Sequence, residues 1–244
     1  RGIFEDAAPL SKDSQAKPTG RLSARQLDRL DHLVYQLKIR GIYININLLV
    51  SRYFTEADGV KNAKLLGMAA KPASLFDARL IELQRAYAKE LLSHVNPYTG
   101  LAYKDDPAVC MIEITNENSL FDRDLERLPP PYYEQIQEQA KHWKQLQAVE
   151  RKYFESMTTY LKKDVGVKAP IAGIGWDASV HDIAAQASCD VIDHHAYWDH
   201  PRFPGKPYDQ KNFTIHGKSI LAGAKFGLIG SIKRYEVTSK PYTV

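Results

Sequence analysis

Cysteine is scarce in this chain of 244 residues, which contains only Cys110 and Cys189. Each stands beside apolar, strand-like residues, and this setting favours buried free thiols over a disulfide or a metal-binding pair. The cysteines therefore do not indicate the redox compartment of the protein. His, Cys, Asp and Glu residues do not recur at the spacing of metal ligands, so we expect no metal site.

Long apolar runs and blocks of like charge are also lacking. The longest apolar run, residues 42 to 50, is far shorter than the roughly 20 residues that cross a bilayer, and Asn45 and Asn47 interrupt it. The formal net charge of +4 comes from basic residues scattered among acidic ones, without the basic block that marks a phosphate-binding surface. We therefore expect neither a membrane span nor a nucleic-acid partner.

Helical and strand-like patterns alternate along the chain. Residues 21 to 40 carry leucines at helical spacing, with Ser23 and Gln26 as a candidate capping box, and residues 42 to 48 follow as a β-branched, apolar strand. Further helices are predicted over residues 77 to 95, 132 to 163 and 178 to 188, and the strands after them over residues 108 to 114, 169 to 174 and 190 to 195. A weaker helical pattern over residues 219 to 235 precedes the last strand-like segment, residues 241 to 244.

This alternation predicts one α/β domain with parallel strands, because a helix between two strands returns the chain to the same end of the sheet. A barrel and a doubly wound sheet both satisfy the pattern. No Gly-x-Gly-x-x-Gly or phosphate-loop motif follows any strand, which favours the barrel over a nucleotide-binding sheet.

The carboxyl ends of the predicted strands carry the polar residues. In parallel α/β folds the loops at these ends form the open, reactive face. The strand over residues 108 to 114 runs into Asn116 and Glu117. A carboxylic acid in this position can protonate a glycosidic oxygen, and a neighbouring amide can bind a sugar hydroxyl. An Asn-Glu pair alone is a weak signal, because such a pair is more often a solvated loop carboxylate.

Two other strand ends offer aromatic and hydrogen-bonding side chains. His195 and Tyr197 alternate onto one face after the strand over residues 190 to 195, and Trp198 beside them offers a flat surface for a sugar ring. Trp176 and Asp177 follow the strand over residues 169 to 174. Core packing is the alternative role for each of these residues.

The order and spacing of these elements resemble the clan of (β/α)-barrel glycoside hydrolases that includes family 5 cellulases and mannanases. In that clan strand four ends in Asn-Glu, matched here by Asn116 and Glu117, and strand six carries His-x-Tyr, matched by His195 and Tyr197. Residues 41 to 50 resemble strand three, and residues 240 to 244 resemble the lead into strand seven.

The resemblance implies a fold and a reaction. It implies a (β/α)8 TIM barrel of which residues 1 to 244 hold about strands three to seven, with residues 1 to 20 as the loop after strand two. It also implies retaining hydrolysis of O-glycosidic bonds in a poly- or oligosaccharide, with Glu117 as the acid/base and no cofactor. The substrate-binding residues that it implies are Asn116, His195, Tyr197, Trp198 and Trp176.

The resemblance also leaves parts of the enzyme outside this chain. The clan's nucleophile is a Glu at the end of strand seven, which we expect after Val244, and Glu236 precedes that strand on the wrong face of the barrel. Open sheet edges predict that the fragment alone associates. The clan suggests a secreted or periplasmic protein. The alternative is a non-catalytic sugar-binding or scaffold protein on a degenerate barrel; an aldolase would need a strand-end Lys, which is lacking.

Overall fold

The structure, a computed structural model, describes residues 18–121, 125–173, 180–193, 195, 197, 199–217, 219, 237 and 239–243. The elements in these residues are, in chain order, α1 (Ala24–Lys38), β1 (Ile44–Asn47), α2 (Ala63–Leu66), α3 (Ala70–Ala73), α4 (Ala78–Ser93), β2 (Val109–Glu113), α5 (Pro130–Gln139), α6 (Trp143–Thr159), β3 (Ile171–Ala172), α7 (Val180–Gln186), β4 (Ile192–Asp193) and β5 (Tyr242–Thr243). Most of the predicted helix over residues 219 to 235 lies outside the described residues.

The strands pair in parallel, each with its neighbour in chain order. One sheet has the order β1-β2-β3, and a second sheet pairs β4 with β5. A parallel bridge between Ala172 and Val191 connects β3 to the start of β4. Helices separate β1 from β2, β2 from β3, and β3 from β4. The predicted α/β fold with parallel strands is therefore confirmed, and the carboxyl ends of its strands meet at one edge.

Local hydrogen bonds explain where two of the predicted helices begin. The Ser23 side chain accepts a hydrogen bond from the Gln26 amide at the start of α1, and Asp77 accepts one from the Leu80 amide at the start of α4. These are the N-caps that the sequence predicts, and each contributes about 1 kcal/mol. The apolar stripe of α4 then faces the core, where Leu80 and Leu92 are fully buried.

The predicted long helix over residues 132 to 163 is wrong, because α5 and α6 are separate helices. Ala140 and His142 between them have extended backbones, with φ of −146° and −152°. The Gln145 side chain accepts a hydrogen bond from the Lys141 amide at 2.7 Å, which satisfies a donor that an unbroken helix would bond. No Gly or Pro marks this break. A π-helical turn, Tyr160–Val165, then extends α6.

The segment between β1 and α4 contains short turns that the sequence analysis missed. Glu56–Asp58 and Gly67–Ala69 are 3-10 turns, and α2 and α3 are four residues each. Asp58 closes this segment by accepting hydrogen bonds from the amides of Thr19 and Thr55. Elements this short carry no readable periodicity.

Both cysteines are free, as the sequence predicts, but only Cys189 is buried. The expectation that Cys110 is also buried is wrong. Side chains alternate along β2, and the described residues leave Cys110 uncovered, with its thiol donating to the Ile44 carbonyl. Within the part of the chain described, no helix has the length and apolarity needed to cross a membrane.

Candidate active site

The turn after β2 holds Glu117 in an unusual backbone conformation. Its φ of +45° lies in the left-handed region, which costs a residue with a side chain roughly 1 to 2 kcal/mol. Contacts with α3 hold the turn: Lys71 Nζ donates to the Glu117 carbonyl at 3.0 Å, and Asn118 Nδ2 donates to the Lys71 carbonyl at 2.9 Å. Such strain is common where a side chain must be aimed at a site.

The Glu117 carboxylate is held by two residues from the end of β4. His195 Nδ1 lies 2.9 Å from Glu117 Oε1, and the Tyr197 hydroxyl donates a hydrogen bond to the same oxygen. About a quarter of the Glu117 side chain, 25%, stays exposed. The carboxylate is therefore fixed by its partners and open to a ligand.

The surroundings of Glu117 act on its pKa in opposite directions. Burial alone would raise this pKa, but hydrogen bonds from Tyr197 and His195, with the positive charges of His195 and Lys71, outweigh burial and lower it. The same hydrogen bond raises the pKa of Tyr197 to about 12. Without a ligand, the pair therefore consists of an ionised Glu117 and a neutral Tyr197 that donates.

The structure brings together four of the residues that the sequence analysis selected. Asn116 is half-buried beside Glu117, and its side-chain oxygen accepts a hydrogen bond from Asn47 Nδ2 at 3.4 Å. Together with Glu117, His195 and Tyr197 it forms one polar surface at the strand ends. Trp176 and Trp198 lie outside the described residues, so their predicted contacts stay predictions.

Two acidic residues that the sequence analysis did not select lie beneath this surface. Glu113 on β2 is 2% exposed, and its Oε2 accepts a hydrogen bond from Asn45 Nδ2 at 3.4 Å. Asp193 on β4 is 4% exposed, and Thr243 Oγ1 donates to its Oδ1 at 2.7 Å. Glu113 and Asp193 stand four residues before Glu117 and Tyr197, so alternation along each strand was the signal for both.

Glu113 differs from Glu117 in its protonation. Burial, and after it the negative charge of Asp193, raise the pKa of Glu113 from 4.5 to about 7. The charge of His195 and the amides of Asn45 and Asn47 oppose this rise only in part. Glu113 therefore titrates near neutral pH although it is a carboxylic acid.

Donor atoms of Glu113, Asp193 and His195 lie within 4.8 Å of one another. No metal site was expected from the sequence, because these residues come from different strands and share no motif. Two carboxylates and an imidazole suit a transition metal or Zn²⁺. Ligand atoms around one such ion stand roughly 3 to 4 Å apart, given bonds of about 2.1 Å. The donor atoms here lie up to 4.8 Å apart, a looser spacing, and His195 Nε2 and Asp193 Oδ2, at 3.8 Å, are not hydrogen-bonded to each other.

Comparison with known proteins found similar solved structures. No protein-family model matches the chain, and no curated protein matches it. The chain is similar to the endo-1,4-β-mannanase from Rhizomucor miehei, with 19% identity and a TM-score of 0.49, over 70% of this chain and 48% of that one. It is also similar to the endo-β-1,4-mannanase from Thermotoga petrophila, with 18% identity and a TM-score of 0.46, over 69% of this chain and 37% of that one. The aligned region thus spans less than half of each solved chain.

Proposed function

We propose that the chain is part of a retaining glycoside hydrolase with a TIM barrel, in which Glu117 is the acid/base. The contact of Glu117 with His195 and Tyr197 carries this proposal. It places a partly open carboxylate at the carboxyl end of a parallel strand, where α/β folds hold their reactive groups. The in-order parallel pairing of five strands fits a sector of such a barrel.

Glu117 performs two proton transfers in this mechanism. It first protonates the leaving oxygen of the glycosidic bond, and it then removes a proton from the water that attacks the glycosyl-enzyme. Its lowered pKa suits the second step. For the first step Glu117 must gain a proton, and a bound sugar favours this by displacing the Tyr197 hydroxyl and excluding water, because both changes raise a carboxyl pKa.

The nucleophile is a second carboxylate about 5 to 5.5 Å from Glu117, the separation that retaining chemistry requires. Glu113 and Asp193 do not fill this role, because they are buried and each stands four residues before the partly exposed group on its own segment, Glu117 or Tyr197. We place the nucleophile at the carboxyl end of the strand that includes β5. Because β5 pairs in parallel with β4, the carboxyl ends of both strands lie at the same edge of the sheet.

The remaining polar and aromatic residues bind the sugar or orient the carboxylates. The Asn116 amide is beside the acid/base and can bond a hydroxyl next to the scissile bond. His195 and Tyr197 orient the carboxylates, and Trp176 and Trp198 are proposed stacking platforms for sugar rings. β-1,4-Mannan, the substrate class in the names of the similar solved enzymes, is one substrate to test among β-glycans.

The test compares leaving groups in Glu117→Ala, made in a protein that also contains the proposed nucleophile. We expect a large loss of kcat on polysaccharide and on aryl glycosides with poor leaving groups, and a much smaller loss with activated aryl glycosides, because only poor leaving groups need a proton. Added azide should restore turnover by replacing the activated water. Glu138→Ala, at an exposed position of α5, is the control and should change neither rate.

The competing function is sugar binding without catalysis. It is favoured by the ionised state of Glu117, whose Oε1 is already held by His195 and Tyr197, because this state also suits a residue that only binds a ligand. Retained binding of an oligosaccharide with no hydrolysis by the unsubstituted protein that contains the proposed nucleophile would support this function. An equal loss on every substrate in Glu117→Ala, without an azide effect, would show that Glu117 is structural.

A further inference from the structure

The imidazole of His195 lies between two carboxylates. Its Nδ1 contacts Glu117 at 2.9 Å, and its Nε2 faces Asp193 Oδ2 at 3.8 Å. With 28% of the side chain exposed, the ring has room to turn. A partner at the second nitrogen fixes the ring plane and decides which nitrogen meets the first partner. Asp193 is in the position to do so.

Asp193 is itself held firmly. Its Oδ1 accepts from Thr243 Oγ1 on β5 at 2.7 Å, and its amide donates to the Gln186 side chain on α7 at 3.4 Å. Only 6% of its side chain is exposed. The remaining oxygen, Oδ2, is therefore directed by the protein rather than by solvent.

Glu113 completes the group from β2. Its Oε1 is buried and has no hydrogen-bond partner among the described residues. Two ionised carboxylates so close together repel each other, and a proton on Glu113 removes this repulsion. Asp193 then remains the anion that faces His195 Nε2. The raised pKa of Glu113 agrees with this arrangement.

We propose that Asp193 is a positioning residue that holds His195 Nδ1 on the acid/base Glu117. The proposal rests on the proposed function of Glu117. Among the described residues, the groups that face this cluster are Glu113 on β2, Glu117 after β2, Asp193 on β4, Tyr197 after β4, Lys71 on α3, the neutral Asn45 and Asn47 on β1, and the neutral Thr243 on β5.

Positioning and simple electrostatics predict opposite results for Asp193→Asn. Removing a nearby negative charge by itself lowers the pKa of Glu117, because a like charge disfavours its ionised form. If Asp193 acts by holding His195, its loss weakens the Nδ1 contact that lowers this pKa, and the pKa of Glu117 rises. The sign of the change therefore separates the two roles.

The experiment is a titration of the Glu carboxyl carbons by ¹³C NMR in the 244-residue chain, with the Glu117 signal assigned by Glu117→Gln. We expect an upward shift of the Glu117 midpoint in Asp193→Asn. In the His195→Gln background the same substitution should give no change or a downward shift, because the route through His195 is absent. Asp190→Asn, whose carboxylate pairs with Lys162 rather than His195, is the charge-matched control and should leave the midpoint unchanged.

Thr243→Val provides a second variant that keeps the charge of Asp193 and removes the hydrogen bond that fixes it. A smaller upward shift of the Glu117 midpoint is expected, even if Asp193→Asn does not fold. A downward or absent shift in both folded variants would overturn the proposal. So would a thermal stabilisation of the wild type by added Zn²⁺ that Asp193→Asn abolishes, because the group would then hold a cation.

This titration needs no catalysis, so its result is separate from that of the proposed function. Suppose that Glu117→Ala shows no dependence on the leaving group, while the Glu117 midpoint shifts upward in Asp193→Asn. This combination would reject the acid/base role and keep the positioning contact. The reverse combination would keep the acid/base role and reject Asp193 as the residue that positions His195.

Discussion

His195 Nδ1 and Glu117 Oε1 lie 2.9 Å apart, although 78 residues separate them in the chain. The contact joins the end of β2 to the end of β4 across the end of β3. β3 ends at Ala172, and Gly173 follows it, so small residues occupy the strand end between the two partners. Parallel pairing in chain order thus brings a carboxylate and an imidazole together over a strand that gives them room.

The first prediction concerns the hydroxyl of Tyr197. Tyr197→Phe removes a hydrogen bond that lowers the pKa of Glu117, so this pKa should rise. The side chain is 61% exposed, and thermal unfolding should therefore change little. A ¹³C titration of Glu117 measures the effect, with the exposed Tyr208→Phe as the control. An unchanged Glu117 midpoint would show that the hydroxyl does not bond the carboxylate in solution.

The second prediction concerns the lysine behind the acid/base. Lys71→Met keeps the aliphatic stem and removes both the hydrogen bond to the Glu117 carbonyl and a charge that lowers the pKa of Glu117. We expect the pKa of Glu117 to rise and the free energy of unfolding to fall by about 1 kcal/mol. Lys64→Met, at an exposed position of α2, should do neither. Equal effects of both variants would mean that Lys71 does not support the turn.

The contacts of Glu117 followed from its position at the end of a predicted strand, because parallel strand ends meet at one edge. The N-caps at Ser23 and Asp77 were predictable because they depend on residues three positions apart. The break at Ala140 was not, since it lacks a Gly or Pro and depends on a side chain of the next helix.

Glu113 and Asp193 were not predicted as site residues, for a different reason. Both end short strands whose other residues are mostly apolar, so hydrophobicity does not show which face points inward. Their pairing depends on the register between strands that are far apart in sequence. Asn45 and Asn47, which alternate along β1, were the available sign of a polar face.

The third prediction concerns stability against pH. The pKa of Glu113 rises from its ordinary 4.5 to about 7 on folding, so between these values the folded chain binds more protons than the unfolded chain. Glu113 therefore contributes a stability that is fully present below pH 4.5 and is lost as the pH rises through 7. Glu113→Gln mimics the neutral acid at every pH.

We expect Glu113→Gln to match the wild type in acid and to exceed its free energy of unfolding above pH 7 by up to about 3 kcal/mol. Urea unfolding at several pH values measures the difference between the two proteins. Glu138→Gln, at an exposed site on α5, should show no such divergence. A constant difference between Glu113→Gln and the wild type from pH 4 to 8 would contradict a raised Glu113 pKa.

The last prediction concerns the small residue at the end of β3. A Cβ atom added at Gly173 would lie 2.6 Å from the Cβ atom of Gln186, closer than two such atoms can stand. A Cβ cannot swing aside, because it is attached to the backbone of α7. Gly173→Ala must therefore displace the helix or the strand end, and overpacking of this kind costs about 1 to 3 kcal/mol.

Urea unfolding of Gly173→Ala should show this loss, whereas Gly205→Ala should not, because its added Cβ would meet only the Asn212 side chain at an ordinary 3.6 Å. The Gln186 side chain also accepts a hydrogen bond from the Asp193 amide, so a displaced Gln186 should disturb Asp193 and, through His195, raise the pKa of Glu117. Stability equal to that of Gly205→Ala would mean that α7 packs less closely on β3 than the structure shows. Lost stability with an unchanged Glu117 titration would mean instead that Gln186 supports the helix without acting on the acid/base.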